Sequence, residues 1–157
     1  MMVKRMALHA QIQEARTSAM KARETLRLNT LRGLLTAFTN ENVAKRRKPE
    51  TALSDEDVLS VIAREAKKRR ESIEQFEKGG RTDLAAQERA ELAILEAYLP
   101  EQLGEVEIRK VVEVKKTALG ISDVKQKGTL IKAVMEDLRG QADGRVVSTI
   151  VDELLKN

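Results

Sequence analysis

The sequence contains no cysteine and no tryptophan, and it has only one histidine, one tyrosine and two phenylalanines. The absence of cysteine excludes disulfides, thiolate zinc sites and a cysteine nucleophile, and a single histidine cannot form a multi-histidine metal site. We therefore expect no metal and no cofactor. The histidine, His9, lies beside an apolar stripe near the N-terminus. We expect it to be a solvated or loosely packed side chain rather than a ligand.

Long apolar runs are also missing. No stretch approaches the roughly 18 consecutive apolar residues that a membrane-spanning helix needs. The N-terminal sequence "MMVKRMALHAQIQEAR" has no apolar core of about seven residues behind its charges, as a secretory signal would. The sequence therefore predicts no membrane contact and a cytoplasmic location.

The composition that remains is typical of helical proteins. Charged residues make up 34% of the chain, aromatic residues 2%, and eight of the 157 residues are glycine. Alanine, leucine, glutamate, lysine and arginine are abundant, and all five favour helices. We predict an all-α protein. The length suits one domain of ordinary size or two small ones.

Four helices are predicted ahead of Pro100. Apolar residues recur at steps of three and four in this part of the chain. Ser54 followed by three carboxylates is a helix start, and the pair Gly79-Gly80 is a helix stop. These signals predict helices over about residues 8–22, 25–45, 55–78 and 83–99, with Thr82 or Asp83 as the cap of the fourth. The third and fourth helices would then form a long helical hairpin.

Pro100 divides the predicted organisation. Proline lacks the N–H that continues a helix and pushes Leu99 away from helical geometry, so the fourth helix must end there. Beyond it, three shorter helices are predicted, over Val106–Leu119, from Ser122-Asp123 to Arg139, and from Asp143 to about Lys156. We therefore predict an N-terminal four-helix domain over residues 1–99 and a small C-terminal three-helix domain over residues 100–157.

Charged residues interrupt the apolar stripes of the hairpin. If its helices run antiparallel around "KGGRT", Arg69 lies opposite Glu88 or Glu91. An unpaired buried charge costs on the order of several kcal/mol, so we predict a partly buried ion pair between Arg69 or Arg70 and Glu88 or Glu91. Alternatively, Arg69, Arg70 and Glu71 within "REAKKRRES" could form the rim of a polar pocket that binds an anion, where carboxylates and guanidinium groups would also suit acid-base chemistry.

Positive charge is concentrated in the first third of the chain. Residues 1–50 hold eleven Lys/Arg against four Glu, a net charge of +7, whereas residues 51–100 sum to −3 and residues 101–157 are neutral. Such a field attracts polyanions such as RNA, although a solvated surface rich in Lys and Arg gives the same pattern. Because aromatic residues are scarce, any RNA contact would use phosphates and shape rather than base stacking.

Three segments carry a resemblance to a known family: "LRGLL", "REAKKRRESIEQFEKGGRTDLAAQERAELAILEAYLPEQL" and "KGTLIKAVMEDLRGQADGRVVSTIVDELL". Together they resemble the YqeY family, also called GatB/YqeY proteins, from about Leu8 onward. The motifs "RRESIEQFEKGGRTDL" and "YLP" are the most specific. The resemblance implies a C-terminal domain similar to the tail of the B subunit of glutamine-dependent aminoacyl-tRNA amidotransferase, which helps to hold tRNA during amidation.

The resemblance does not extend to the catalytic parts of that enzyme. The positions that match its tail are Lys127, Gly128, Gly140, Asp143, Gly144 and Arg145. An assignment of carbon-nitrogen ligase activity with glutamine as amido-N-donor would rest only on the resemblance to this tail. Because no residue here matches the catalytic parts of that enzyme, we assign no catalytic residue. A glycine such as Gly128 inside a helix costs about 1 kcal/mol relative to alanine. We expect the close approach of a packed helix to explain it, with an RNA strand as the alternative.

Three functional hypotheses follow. The first is a non-catalytic module that binds tRNA or acts in tRNA-dependent amidation, with tRNA or a protein of the amidotransferase or translation machinery as partner. The second is a protein-interaction adaptor that uses the apolar last helix. The third is an amidotransferase-related enzyme with a pocket of Arg69, Arg70, Glu88 and Glu91. The residues predicted to bind nucleic acid are Arg23, Arg27, Lys45, Arg46, Arg47, Lys48, Lys127, Lys132 and Arg145.

Overall fold

The structure is a computed structural model that describes residues 6–138 and 140–156. Within these residues it contains seven α-helices, one short 3-10 helix and no β-strand. The prediction of an all-α protein with seven helices is confirmed. The chain forms two compact units, Met1–Leu99 and Pro100–Asn157.

Each unit has its own set of helices. The first unit contains α1 (Leu8–Lys21), α2 (Thr25–Ala44), α3 (Asp55–Lys78) and α4 (Thr82–Glu96). The second contains α5 (Glu105–Leu119), the 3-10 helix (Val124–Gln126), α6 (Lys127–Asp137) and α7 (Gly144–Leu155). Arg139, the predicted end of the sixth helix, lies outside the described residues.

Side-chain caps account for the starts of α3 and α7. The Ser54 hydroxyl accepts a hydrogen bond from Asp57 N at 3.1 Å, and the Asp143 carboxylate accepts one from Arg145 N at 2.8 Å. The predicted Thr82 or Asp83 cap is wrong, because Arg81 precedes α4 and no side chain caps it. Asp123 caps the 3-10 turn rather than an α-helix, which delays the start of α6 to Lys127.

The end of α4 differs slightly from the sequence prediction. The α-helix stops at Glu96, and the next two bonds, Tyr98 N to Leu95 O and Leu99 N to Glu96 O, span three residues rather than four. This tightening of the last turn is a common way to satisfy the carbonyls at a helix end. Pro100 therefore ends the helical segment through one intervening tight turn.

The main core of the first unit lies at one end of its long hairpin. Its buried side chains come from α1, α2, the segment between α2 and α3, the first two turns of α3 and the end of α4, namely Ile12, Leu31, Leu34, Phe38, Leu53, Val58, Val61, Ile62 and Leu95. Ala66, Ile73 and Ala85 are also buried but lie outside this cluster. We call residues 66–92 the arm, because there α3 and α4 bury their apolar residues mainly against each other.

The second unit has a separate core. Its buried residues come from all three helices and the loop after α5, namely Ile108, Val112, Ile121, Leu130, Val134, Leu138, Val147, Ile150, Val151 and Leu155. Leu103 N donates to Gln141 O at 2.8 Å, which ties the segment after Pro100 to the loop before α7. The predicted packing of a helix against Gly128 is wrong, because a Cβ placed there would meet no atom within 4 Å.

Candidate nucleic-acid interface

Two arginines near the ends of α2 have an unusual backbone conformation. Arg23 has a φ of 58° and Arg46 a φ of 57°, both in the left-handed region. Each stands just after a helix, and the N–H of the next residue bonds to the carbonyl five residues earlier, at 2.9 and 2.8 Å. This hydrogen bond is typical of the Schellman motif, in which the left-handed residue after the helix is usually glycine. Each arginine therefore occupies a position that suits glycine better.

The same motif elsewhere in the chain does use glycine. The ends of α3 and α5 show it with Gly80 at a φ of 73° and Gly120 at a φ of 63°. A side chain in this conformation costs about 1–2 kcal/mol. The fold alone thus gives no reason for arginine at the two positions beside α2.

The segment that follows Arg46 is held firmly against the helices. We call residues 45–54, which join α2 to α3, the strap. The buried side chain of Asn42 donates to Pro49 O at 3.1 Å and to Thr51 O at 2.7 Å. The basic residues at the start of the strap are therefore displayed on a fixed backbone rather than on a free loop.

Two of the four basic residues of the strap also have a structural contact. Lys45 Nζ lies 3.1 Å from Asp57 Oδ1, and Arg47 Nη1 lies 3.0 Å from Asp57 Oδ2. These two cations, through their hydrogen bonds, lower the pKa of the Asp57 carboxyl below its usual value. Lys45 and Arg47 are thus partly neutralised, whereas Arg46 and Lys48 are exposed beside them.

The remaining predicted residues of the first unit lie at the other end of α2. Arg27 is exposed in its first turn, 4.0 Å from Glu24, and Arg23 immediately precedes that turn. Because α2 has 20 residues and each adds about 1.5 Å, the two basic groups are about 30 Å apart. The structure therefore separates Arg23 and Arg27 from the strap instead of joining them in one patch.

The three predicted residues of the second unit are also spread out. Lys127 Nζ lies 2.6 Å from Asp152 Oδ1 near the end of α7, whereas Arg145 is in the first turn of the same helix. Arg145 and Asp152, the partner of Lys127, are about 10 Å apart along α7. Lys132 is exposed, roughly opposite the buried Leu130 on α6. Within this unit the three cations form no single cluster.

The charged residues of the hairpin make a network of ion pairs. Arg69 Nε lies 3.2 Å from Glu91 Oε2 and 3.6 Å from Glu88 Oε2. Arg70 instead contacts Glu96 at 3.3 Å, a partner that the sequence analysis did not name. All three members of the Arg69 group are partly buried. The carboxylates proposed as an acid-base pocket are therefore engaged by a guanidinium group.

His9 is a core residue rather than a solvated one. It is 8% exposed, its Nδ1 accepts a hydrogen bond from Leu53 N at 2.8 Å, and its ring packs at a tilt against Phe38 with centroids 5.1 Å apart. Burial lowers its pKa, because a charged imidazolium is poorly solvated there. The sequence analysis was wrong here, since the stripe of α1 showed no polar partner for the ring. That partner is a backbone group 44 residues away.

A cleft between α2 and α3 was not predicted. It is lined by Ala37, Asn40 and Ala44 on one side and by Val61, Arg64 and Lys68 on the other. At its base Arg64 Nη2 donates to Glu41 Oε2 at 2.8 Å. The sequence offered one signal for it, the low charge of the outer side of α2 in a chain that is 34% charged.

The described residues contain no metal-binding cluster and no helix suited to spanning a membrane. Across residues 6–138 and 140–156, no three or more acidic or histidine side chains are arranged to hold a metal ion. Among the helices of the same residues, none combines the length and apolar character needed to cross a bilayer.

Comparison with known proteins gives consistent matches. A family model described as "Yqey-like protein" matches residues 9–155. A Schizosaccharomyces pombe protein named as uncharacterised is 36% identical over 99 residues, which cover 63% of this chain and 77% of that protein.

Two further matches share a name. A Pyrenophora tritici-repentis protein named "Altered inheritance of mitochondria protein 41, mitochondrial" is 33% identical over 143 residues, covering 88% of this chain and 75% of that protein. Its namesake in Eremothecium gossypii is 32% identical over 90 residues, covering 57% and 48%.

Proposed function

This chain belongs to the YqeY family, and on that premise we propose that it is a non-catalytic helical module that binds tRNA in support of tRNA-dependent amidation. The resemblance of its C-terminal domain to the tRNA-holding tail of the amidotransferase B subunit supports the proposal. The partners are tRNA itself and a protein of the amidotransferase or translation machinery.

One observation about the first unit carries the proposal furthest. Arg23 and Arg46 stand in left-handed positions where glycine would be more stable. Proteins commonly keep a locally unfavourable residue where function requires its side chain. Both residues are cations at opposite ends of α2. We infer that their side chains serve a polyanion rather than the fold.

The separation of the cations limits the size of that polyanion. A ligand that contacts both ends of α2 must span about 30 Å. A folded tRNA has that reach, whereas an oligonucleotide of a few residues does not. The contacts are to phosphates, so the affinity falls steeply as salt rises.

Binding of unfractionated tRNA, measured by mobility shift at about 50 and 200 mM salt, tests the proposal. We expect binding at low salt that weakens at least tenfold at high salt, and a three-nucleotide RNA, which cannot span the two ends of α2, should bind far more weakly than tRNA. The absence of tRNA binding at low salt would refute the function. Equal affinity for the short RNA would refute the two-ended contact.

The variants Arg23→Gly and Arg46→Gly separate binding from folding. Each should raise the free energy of unfolding by about 0.5–1 kcal/mol, because glycine tolerates the left-handed backbone. Each should also weaken tRNA binding and reduce the salt dependence by about one phosphate contact. Lys67→Ala, on the exposed side of α3, removes one charge without placing a glycine inside the helix and should leave the affinity unchanged. Unaltered tRNA affinity in both arginine variants would contradict the proposed contact of these side chains with tRNA.

Catalysis is the weaker alternative. A carbon-nitrogen ligase that uses glutamine as amido-N-donor would need its proposed carboxylates, Glu88 and Glu91, to be available for chemistry, and both contact Arg69. Turnover of glutamine or ATP by the isolated protein would establish it. The cytoplasmic location expected from the sequence stays a prediction, since several relatives carry "mitochondrial" in their names.

A further inference from the structure

The cleft between α2 and α3 is smaller than a typical ligand pocket. Its volume is about 250 Å³, whereas pockets that bind small molecules usually measure about 300–1,000 Å³. On the α2 side the cleft is lined by the small side chains of Ala37 and Ala44, and Val61 lines the α3 side. A cleft of this size and shape fits the side chains of a docked protein segment better than a whole small molecule.

The charges around the cleft are arranged so that the positive groups reach solvent. Glu41 and Glu65 are only 9% and 23% exposed, whereas their partners Arg64 and Lys68 are 56% and 67% exposed. The four formal charges sum to zero. The two carboxylates are mostly buried, however, and the two cations are exposed at the rim of the cleft. The solvent-facing side of the cleft is therefore basic, which complements an acidic partner.

The side of α2 next to the cleft is unusually free of charge. Exposed residues spaced three or four apart along it are Leu26, Asn29, Gly33, Thr36, Asn40 and Val43. The exposed charges of α2 are Arg27 and Arg32. By contrast, the exposed positions of α3 between Arg64 and Lys78 are nearly all charged. Depletion of charge is a mark of the central part of protein interfaces.

Gly33 adds an independent reason to expect a partner. It lies in the middle of the 20-residue α2, one turn before Ala37, and a Cβ placed on it would meet no atom within 4 Å. Glycine inside a helix costs about 1 kcal/mol relative to alanine. Nothing in the described part of the chain needs the space at Gly33. The backbone of a docked helix would need it, since small residues allow two helices to approach closely.

We propose that the cleft and the uncharged side of α2 bind an acidic amphipathic helix of a protein partner. The helix presents small side chains to Gly33, Ala37 and Ala44 and carboxylates to Arg64 and Lys68. RNA is the less suitable occupant, because the exposed residues of α2 beside the cleft are mostly uncharged, and besides the rim cations Arg64 and Lys68 they offer a phosphate backbone only Arg32. Ala37 and Val61 lie away from the basic ends of α2 that we assign to tRNA, whereas Ala44 lies two residues before Arg46.

The test uses a designed peptide as the probe. It is a 20-residue alanine-rich helix with glutamates flanking one alanine stripe, and its control replaces every glutamate by lysine. In a ¹⁵N NMR titration of the full chain, the acidic peptide should shift the amides of Ala37, Ala44 and Val61, and the basic peptide should not. No binding, equal binding of both peptides, or shifts confined to another surface would overturn the proposal.

Variants at the rim test the charge complementarity. Lys68→Glu should weaken the acidic peptide at least fivefold while leaving the Arg64–Glu41 pair in place. Lys67→Glu, the same change one residue earlier at a position that does not line the cleft, should have little effect. Equal losses in the two variants would show that the peptide responds only to net charge.

Gly33→Ala tests the close approach. The variant should be more thermostable than the parent, because alanine favours the helix and its methyl group meets open space. It should nevertheless bind the acidic peptide several-fold more weakly. A stabilised variant with unchanged peptide affinity would contradict the proposed contact at Gly33. A parallel titration with tRNA should leave the amides of Ala37 and Val61 unshifted, so failure of this site and failure of tRNA binding are distinguishable.

Discussion

At the scale of single residues, His9 joins three parts of the first unit. It belongs to α1, accepts a hydrogen bond from the strap at Leu53 and packs against Phe38 of α2. Protonation of Nδ1 would remove the acceptor and place a charge in the core. The neutral form is therefore the one that the fold requires.

The stability of the first unit should consequently depend on pH. Burial lowers the pKa of folded His9, while the unfolded residue titrates at about 6.5. Below pH 6.5 the unfolded state binds the proton first, so the free energy of unfolding should fall as pH drops, and it should be constant above that pH. His9 is the sole histidine, so urea unfolding at pH 7.5 and 5.5 should report mainly this group.

His9→Asn is the matched control for this titration, since the amide oxygen can replace Nδ1 as acceptor without titrating. It should abolish most of the difference between the two pH values. His9→Phe should lose about 1–3 kcal/mol at both, because Leu53 N would lack its acceptor. A parent protein equally stable at pH 7.5 and 5.5 would count against this role.

Arg69 has a comparable role in the arm. Its guanidinium lies between Glu88 and Glu91, so Arg69→Ala would leave two partly buried carboxylates facing each other. We expect a loss of about 1–3 kcal/mol, between the values for exposed and buried pairs. Thermal unfolding should therefore show a clear decrease in Tm.

The compensating variant for Arg69→Ala adds Glu88→Gln and Glu91→Gln, which remove the uncompensated charges and should restore part of the stability. Lys67→Ala, an exposed substitution on the same helix, should change Tm little. An unchanged Tm in Arg69→Ala would mean that the ion pairs are solvated and contribute nothing measurable.

At the scale of elements, the strap connects stability to the proposed tRNA contact. Asp57, in the first turn of α3, holds Lys45 and Arg47 and so fixes the start of the strap. The same carboxylate subtracts from the positive charge that the strap presents. The Asp57 carboxylate therefore stabilises the fold but weakens the attraction of the strap for phosphates.

Asp57→Asn should separate these two effects. It should destabilise the first unit by about 1–2 kcal/mol at pH 7 through loss of the charged hydrogen bonds. It should strengthen tRNA binding, because two cations are released. The folded pKa of Asp57 lies below its ordinary value of 3.8, so the stabilisation is present above that value and is lost as pH falls below it.

Chemical unfolding at pH 7 and pH 3, together with a tRNA titration at pH 7, checks the Asp57 prediction. The gap in stability between the parent and Asp57→Asn should narrow at pH 3. Asp55→Asn, which also removes one charge from the first turn of α3 but contacts Leu8 N instead, is the matched control for the gain in affinity. Weaker tRNA binding by Asp57→Asn would exclude the strap as the contact.

At the scale of the whole molecule, each unit has a core made of its own residues. The second unit buries ten apolar side chains from its three helices and the loop after α5. Domains of about 60 residues can fold alone with marginal stability. We therefore expect residues 100–157 to form a cooperative folded domain when produced without the first unit.

Circular dichroism and thermal unfolding of the fragment 100–157 check this expectation. The fragment should be helical and unfold cooperatively, with a lower Tm than the first unit. Val147→Ala, which truncates a fully buried side chain, should abolish that transition, whereas Val146→Ala at a partly exposed neighbour should be tolerated. A fragment that is unstructured at low temperature would show that the second unit depends on the first.

Much of the fold followed from local chemistry in the sequence. The apolar steps of three and four, Ser54, the pair Gly79-Gly80 and Pro100 predicted helices close to those observed, because capping and termination depend on neighbours within a few residues. The errors in the predicted helix starts also concern single residues or single turns. Arg81 rather than Thr82 precedes α4, and a 3-10 turn precedes α6.

The sequence by itself determined the helical class, the helix order and the identity of the charged residues, since these depend on composition and short-range periodicity. The predicted antiparallel hairpin also placed Arg69 opposite Glu88 or Glu91, but the other partners were decided only by the tertiary structure. It joined His9 to Leu53 across 44 residues, gave Arg70 the partner Glu96, and placed the basic ends of α2 about 30 Å apart. The physical reason is that such contacts depend on how helices pack, and a side chain's partner across a packed interface leaves no signature in its neighbouring residues.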